Sequence, residues 1–294
     1  ENRDPALKDI HINRAGPDID KREILTRQNF IISLISIFKG KGINISNNFD
    51  INPTAASSLS LTVKLGAAMT VTGTTTITKT SSATSVLDTV SASNFSFTTG
   101  ALVIASGGTF KPNASAVSTA TINNAGTLTA GTATITITGT SGPLFTNTGT
   151  YTNSGETMVF SPDANVTLTT GAITFFNVTL SPTITSARTY TLNDAALTIS
   201  GNLNINPTAA SALALTVNMG AAVTVASTKT TTITGTTSGI STLDTTSSNY
   251  ALSSGKLDIA SAGTLTANGS TITLTGTSTV FTRSGTFTAG TSTV

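Results

Sequence analysis

The chain has 294 residues, a formal net charge of +2, no cysteine, and only 10% charged residues. This length can bury a substantial core, and the near-neutral charge gives no reason to expect nucleic acid as a partner. The lack of cysteine excludes disulfides and thiolate metal sites. No apolar run reaches the roughly 18 residues of a membrane-spanning helix, so no integral membrane segment is predicted.

Charged residues are concentrated at the start of the chain. Residues 1–50 contain 15 of them, whereas the other 244 residues contain 13. We therefore place a domain boundary near residue 42. Residues 1–19 are predicted to form a polar arm, in which residues 9–13 alternate like a short strand. Because the chain opens at Glu1 rather than Met, we expect an exported protein, extracellular or at the cell surface, with its signal already removed.

A helix is predicted to follow the arm, over residues 21–39. Asp20 and Glu23 are spaced as a capping box, and Gly40 stands where a helix would end. Residues 30–38 are apolar nearly all round, so this half of the helix must be buried. We expect it to close one end of the core. A subunit contact and contact with a membrane surface are the alternatives.

The rest of the chain contains a long internal repeat. Residues 51–71 return at 205–225, displaced by 154 positions, with 16 of 21 positions identical. Leu61, Val63 and Leu65 alternate with polar residues, which is the period of a β-strand. Where an apolar position differs between the two copies, both copies still have an apolar residue there. This predicts strands with one buried face.

A shorter repeat lies inside each copy. A Gly-Thr step followed by an apolar residue recurs at spacings of 18, 23 and 22 positions. It occurs at Gly108, Gly126, Gly149, Gly263 and Gly285. The first copy holds one step more than the second, so a unit of about 20 residues can be gained or lost whole. This behaviour is typical of stacked coils.

We predict an all-β fold, an elongated β-solenoid (β-helix) over residues 43–294 with a short N-terminal arm and a capping α-helix. Copy one would span residues 43–196, and a truncated copy two would span 197–294. With coils of about 20 residues there would be about 12 of them, giving a rod roughly 60 Å long. Two β-sandwiches in tandem are the alternative.

Residues 176–180 and 281–294 resemble the Thr/Gly-rich repeats of bacterial cell-surface proteins of the β-solenoid adhesin or fibre type. The resemblance covers roughly residues 43–294 and rests on composition. It implies a structural protein outside the cell. Because that class shares no active site, the resemblance assigns no functional residue.

Residues with catalytic chemistry are sparse. The only histidine, His11, lies in the polar arm, so no base is expected beside a Ser or Thr nucleophile. Polysaccharide-cleaving β-helices need clustered carboxylates. Asp88 and Asp244 are instead equivalent positions of the two copies, as corner residues would be, and the acids are too few for calcium in every turn. We predict no enzyme activity, no catalytic residue, no metal site and no cofactor.

Two further patterns concern ligands and modification. Thr-x-Thr runs over residues 134–138, 230–234 and 271–275 resemble the flat arrays of ice-binding solenoids, although Thr is also simply a good outward residue on a strand. Six Asn-x-Ser/Thr sequences are expected by chance in so Thr-rich a chain. They begin at Asn44, Asn94, Asn113, Asn165, Asn177 and Asn268.

These patterns predict the subunit of a surface filament that assembles head to tail with copies of itself, or a modular adhesin. The alternative is a solenoid that binds host or matrix glycans, or ice, through Thr-x-Thr faces. In the filament, the arm or helix of one subunit would pack on the C-terminal coil of the next. The residues assigned to that joint are Ile10, Ile12, Phe30, Ile31, Leu34, Ile35, Phe38 and Val294.

Overall fold

The structure is a computed structural model that describes residues 31–33, 42–53, 60–79, 84–192, 196–210, 212–235 and 239–294. It is an all-β parallel β-solenoid of about ten turns, with coils of about 24 residues. The part of the chain that the structure describes contains no helix. The fold divides into two compact units, residues 1–133 with 148–152, and residues 134–147 with 153–294.

The first ten strands come from the first unit. They are β1 Ile31–Ser33, β2 Ile43–Ile45, β3 Phe49–Ile51, β4 Ser60–Lys64, β5 Met69–Ile77, β6 Thr84–Asp88, β7 Phe97–Ile104, β8 Gly108–Lys111, β9 Ala116–Asn124 and β10 Thr127–Gly131. In this unit β4, β6, β8 and β10 form one face of the solenoid, and β5, β7 and β9 are long enough to continue around a corner.

The remaining strands complete the chain. They are β11 Thr134–Ile137, β12 Phe145–Asn147, β13 Thr150–Asn153, β14 Thr157–Phe160, β15 Val166–Leu168, β16 Thr174–Phe175, β17 Asn177–Leu180, β18 Thr183–Ile184, β19 Arg188–Leu192, β20 Leu197–Ile199, β21 Leu203–Ile205, β22 Thr208–Ala209, β23 Leu215–Met219, β24 Val223–Val225, β25 Thr230–Ile233, β26 Ser241–Asp244, β27 Leu252–Ser254, β28 Lys256–Ile259, β29 Gly263–Thr266, β30 Ile272–Leu274, β31 Phe281–Arg283 and β32 Thr286–Thr288.

Each coil of the second unit has three main sides. The first face consists of β15, β19, β23, β26, β29 and β32. The second face consists of β16, β20, β24, β27 and β30, and the third includes β14, β17, β21, β25, β28 and β31. Neighbouring strands on each face are parallel. The tandem-sandwich alternative is therefore wrong, since β-sandwiches are built from antiparallel sheets.

The core of each unit is a column of inward side chains, one alternating set from most of its strands. Val63 and Leu65 are buried as the alternation predicts. In the second unit Phe145, Phe160 and Phe175 form an aromatic group, with Phe175 at 5.5 Å from Phe145 and 6.4 Å from Phe160 between ring centroids, both edge to face. Consecutive coils thus hold one another by packing.

The Gly-Thr steps do mark coils, because their strands pair in register. Thr109 pairs with Thr127 in the first unit, and Thr264 pairs with Thr286 in the second. The glycine is required by a close approach of backbone. A Cβ at Gly126 would lie 2.4 Å from the carbonyl oxygens of both Ala105 and Gly108. At the point where the chain turns onto this face, the neighbouring backbone therefore leaves no room for a side chain.

The predicted coil length and coil number need correction. The residues that pair between coils are 18 positions apart at Thr109 and Thr127 but 28 apart at Leu203 and Thr231. The Gly-Thr steps sample mainly the short coils, so they gave about 20 residues and about 12 coils instead of about 24 and ten. Corners of different length absorb the variation while the strands stay in register.

The capping helix is not found. Within its predicted range, 21–39, the structure describes only Ile31–Ser33, and these form β1, which pairs parallel to β4. A helix is wrong for these three residues, two of which are β-branched and suit extended backbone. The remainder of the range, like residues 1–19, lies outside the described residues.

Candidate functional site

The carboxylates of Asp88 and Asp244 organise two equivalent corners, as their repeated positions predict. The amide N–H two residues after each aspartate, at Val90 or Thr246, donates to Oδ1 at 2.7 Å. Both donor residues have positive φ, 64° at Val90 and 60° at Thr246. The aspartate thus stabilises a backbone conformation that β-branched residues rarely adopt.

An asparagine from the next coil completes each corner. Asn113 Nδ2 donates to Asp88 Oδ1 at 2.8 Å, and Asn268 Nδ2 donates to Asp244 Oδ1 at the same distance. The threonine that directly follows each aspartate points inward. At Thr245 its hydroxyl donates to the carbonyl oxygen of Ala267 at 2.8 Å. Each corner therefore links two successive coils by charge-assisted hydrogen bonds, which are stronger than neutral ones.

A third carboxylate, Asp163, joins coils in the second unit. Arg188 Nε donates to its Oδ1 at 2.7 Å, and the Thr185 hydroxyl donates to its Oδ2 at 2.6 Å. These hydrogen bonds, with Arg188 first, lower the pKa of Asp163 from 3.8 to about 2. Beside them Tyr190 is fully buried and its hydroxyl donates to the carbonyl of Pro162 at 2.6 Å. Burial raises the pKa of Tyr190 far above its ordinary value.

Glu156 is buried as well and serves the backbone. Its two carboxylate oxygens accept from the amides of Ser154, at 3.0 Å, and Phe176, at 2.7 Å. Asp88, Asp163, Asp244 and Glu156 are therefore structural. Among the described residues, no three His, Cys, Asp or Glu side chains lie close enough to hold a metal ion.

Five of the six Asn-x-Ser/Thr asparagines hydrogen-bond to a neighbouring coil. Asn113 and Asn268 hold corners, and Asn94, Asn165 and Asn177 each accept a backbone N–H from the following coil through Oδ1. At these five positions the asparagine side chain therefore links neighbouring coils.

The cavity beside the aromatic group is too small to be a ligand-binding site. A cavity beside Phe160 and Phe175, also lined by Leu168, Leu192 and Leu197, has a volume of about 10 Å³. That is near the lower limit for one water molecule, and a small-molecule site needs about 300 Å³ or more. This cavity is a packing defect of an apolar core.

The predicted Thr-x-Thr runs face outward but do not lie together. Thr136 and Thr232 share the third face, yet Val159, Thr179 and Asn204 occupy the coils between them. The run at 271–275 belongs to the second face. None of the three runs therefore forms an array with another.

The second face carries a different line of hydroxyls in register. Its outward residues pair coil by coil. They are Thr174, Thr198, Thr224, Ser253 and Thr273.

The first face carries two lines of outward residues side by side, one made only of threonines and one of threonines with Asn218 and Asp244 in its middle, and we call it the threonine face. One line is Thr189, Thr216, Thr242, Thr264 and Thr286. The other is Thr167, Thr191, Asn218, Asp244, Thr266 and Thr288. This array is not evident in the sequence, because its threonines occur in short segments that differ from one another. A search for Thr at the second residue after each Gly-Thr step would have identified its last two coils.

The residues assigned to the filament joint are mostly outside the described residues. These are Ile10, Ile12, Phe30, Leu34, Ile35 and Phe38. Ile31 belongs to β1, and Val294 is 66% exposed. On the same last coil Phe281 is 37% exposed and lies 5.8 Å from Phe287 between ring centroids.

Comparison with protein-family models, with curated proteins and with solved structures finds no match. In the described part of the chain no helix is long and apolar enough to cross a membrane.

Proposed function

We propose that this chain is a structural, non-enzymatic protein of an extracellular surface, the solenoid segment of a filament subunit or of a modular adhesin. The observation that supports this most is the use of its ionisable groups. Asp88, Asp163, Asp244 and Glu156 all bind backbone or neighbouring coils. Their side chains hold the coils together, as expected of a protein that acts through its surface and rigidity.

The solenoid construction suits this role. Each coil is held by parallel pairing to the coils beside it, and the spacing between paired positions of neighbouring coils varies from 18 to 31 residues. Such a protein can present extended surfaces without cysteine or a large globular core. Low charge and exposed Thr and Ser on its faces fit an exported surface protein.

For the filament form of the proposal, the chain binds copies of itself through residues 1–42 and the coil that contains β30, β31 and β32. Phe281 and Val294 provide exposed apolar side chains on that coil. A joint between two different surfaces is heterologous, so it extends into a fibre unless the rotation closes a ring.

Electron microscopy of the purified chain tests the proposal. We expect fibres from the full chain and soluble monomers, with β-rich circular dichroism, after deletion of residues 1–42. Phe281→Ser together with Val294→Ser should also reduce fibre formation. Ile240→Ser is the matched control, because Ile240 is 54% exposed elsewhere in the same unit.

Two results would contradict the filament form. Fibres that persist unchanged without residues 1–42 would show that the joint lies elsewhere. A full chain that stays monomeric at every concentration would remove self-assembly and leave the adhesin form.

A further inference from the structure

We infer that the threonine face binds an ordered lattice of water molecules, that is, the surface of ice. This inference is independent of filament assembly. It rests on the geometry of the two parallel lines of side chains on the first face, on their hydrogen bonding and on what the face lacks.

The spacing of the hydroxyls is close to that of ordered water. Successive strands of a sheet lie about 4.8 Å apart, so the line from Thr189 to Thr286 repeats its hydroxyl groups at that interval. The second line does so except at Asn218 and Asp244. Water molecules joined tetrahedrally by hydrogen bonds of about 2.75 Å place second-neighbour oxygens about 4.5 Å apart. Over the five coils from Thr189 to Thr286 the difference accumulates to only about 1 Å, which rotation of the hydroxyls can absorb. A rigid line of threonines therefore approximates a row of ordered water.

The outward hydroxyls of the threonine face are available to water. Inward hydroxyls of the same unit are bonded at Thr231, which donates to Ser254 Oγ at 3.0 Å, and at Thr245, whereas the buried Ser241 Oγ has no partner among the described residues. The hydroxyls of Thr216, Thr242 and Thr264 point outward and make no hydrogen bond to another described group. They are free to bind water, and their methyl groups restrict where that water can lie.

The threonine face carries fewer charged residues than the equivalent face of the first unit. In the first unit the equivalent face has Lys64, Asp88 and Lys111 on adjacent strands. At the corresponding positions of the second unit stand Asn218, Asp244 and Thr266. Both lysines are replaced by neutral side chains. The Asp244 carboxylate is turned into the corner, where it accepts from Asn268 and Thr246.

The composition of the threonine face fits other partners poorly. The residues that carry most of the binding energy at protein interfaces are enriched in Trp, Tyr and Arg, whereas Thr is under-represented among them. The two outward lines contain no aromatic residue and no arginine. A second copy of the chain, or a glycan stacked on aromatic rings, therefore fits this face poorly. A periodic solid with hydrogen-bonding groups fits it well.

The test uses the full chain and two matched double variants. Thr242→Tyr with Thr264→Tyr places bulky rings in the middle of the threonine face. Thr179→Tyr with Thr232→Tyr makes the same change at partly exposed outward positions of the third face. Thermal hysteresis and incorporation into a growing ice crystal are measured for each, and thermal unfolding is followed by circular dichroism.

We expect hysteresis and incorporation for the natural chain and for the third-face variant, and loss of both for the threonine-face variant at an unchanged melting temperature. Absence of ice activity in the natural chain, or full activity in the threonine-face variant, would overturn the inference. Binding to crystalline polysaccharide without ice activity would also overturn it and assign the face to a glycan solid. Fibre formation should be the same for both variants, so failure here leaves the proposed structural function standing.

Discussion

At the scale of single residues, the glycines of the Gly-Thr steps are set by space. At Gly126 a Cβ would meet backbone carbonyls at 2.4 Å, and backbone cannot move aside as a side chain does. Gly142 is a suitable comparison, since it has a φ of 73° and no atom within 4 Å of a Cβ.

We predict that Gly126→Ala lowers the free energy of unfolding by about 3 kcal/mol, the upper part of the overpacking range. Gly142→Ala should cost about 1 kcal/mol, because only the left-handed backbone conformation is strained. Urea denaturation of both variants checks this. Equal losses would show that close approach is not the reason for glycine at position 126.

The lowered pKa of Asp163 has a consequence for acid stability. Its pKa in the folded protein is about 2, below the ordinary value of 3.8, so the ionised form is favoured by folding. Its contribution to stability is therefore fully present above pH 3.8 and is lost as the pH falls towards about 2.

We predict that Asp163→Asn lowers the melting temperature near neutral pH and that the difference from the natural chain shrinks between pH 4 and pH 2. Asp50→Asn, at an exposed aspartate on β3, is the control and should leave the melting temperature nearly unchanged at neutral pH. A difference for Asp163→Asn that grows on acidification would contradict the assignment.

At the scale of elements, the coil is the unit that matters. Strands β26 and β29 pair in register, with Ser241 opposite Gly263 and Leu243 opposite Leu265. Both leucines are fully buried. Residues 241–262 therefore amount to one turn of the solenoid, and removing them brings an equivalent strand into the same position.

We predict that deletion of residues 241–262 leaves a folded protein with β-rich circular dichroism and a cooperative thermal transition, because each coil contacts only its neighbours. Deletion of residues 241–251, half a coil, should abolish the transition of the second unit, since it shifts later strands onto the wrong faces. If the two deletions behave alike, the coil is not an independent unit.

At the scale of the whole molecule, stability comes from apolar packing and backbone hydrogen bonds. Only 10% of the residues are charged, and the ion pair between Arg188 and Asp163 is partly exposed. We predict that the free energy of unfolding changes by less than about 1 kcal/mol between about 0.05 M and about 1 M NaCl. Denaturant titration at both salt concentrations measures it, and a larger loss at high salt would indicate that charge networks contribute more.

The sequence by itself determined the character of the strands and the corners. Alternation at Val63 and Leu65 predicted buried strand faces, because successive side chains of a strand point to opposite sides. The repetition of Asp88 at Asp244 predicted corner residues, since the same local backbone needs the same hydrogen bonds. The Gly-Thr steps predicted coils because they recur at one place in each turn.

Only the tertiary structure decided which residues lie side by side. Paired positions are separated by 18 to 31 residues, and corners absorb the difference, so no fixed spacing in the sequence gives the register. The threonine face is therefore invisible along the chain, where Thr216 and Thr242 are merely two of many threonines. Likewise, an apolar sequence such as that at Ile31–Ser33 suits a helix as well as a strand, and for these three residues the pairing with β4 decides between them.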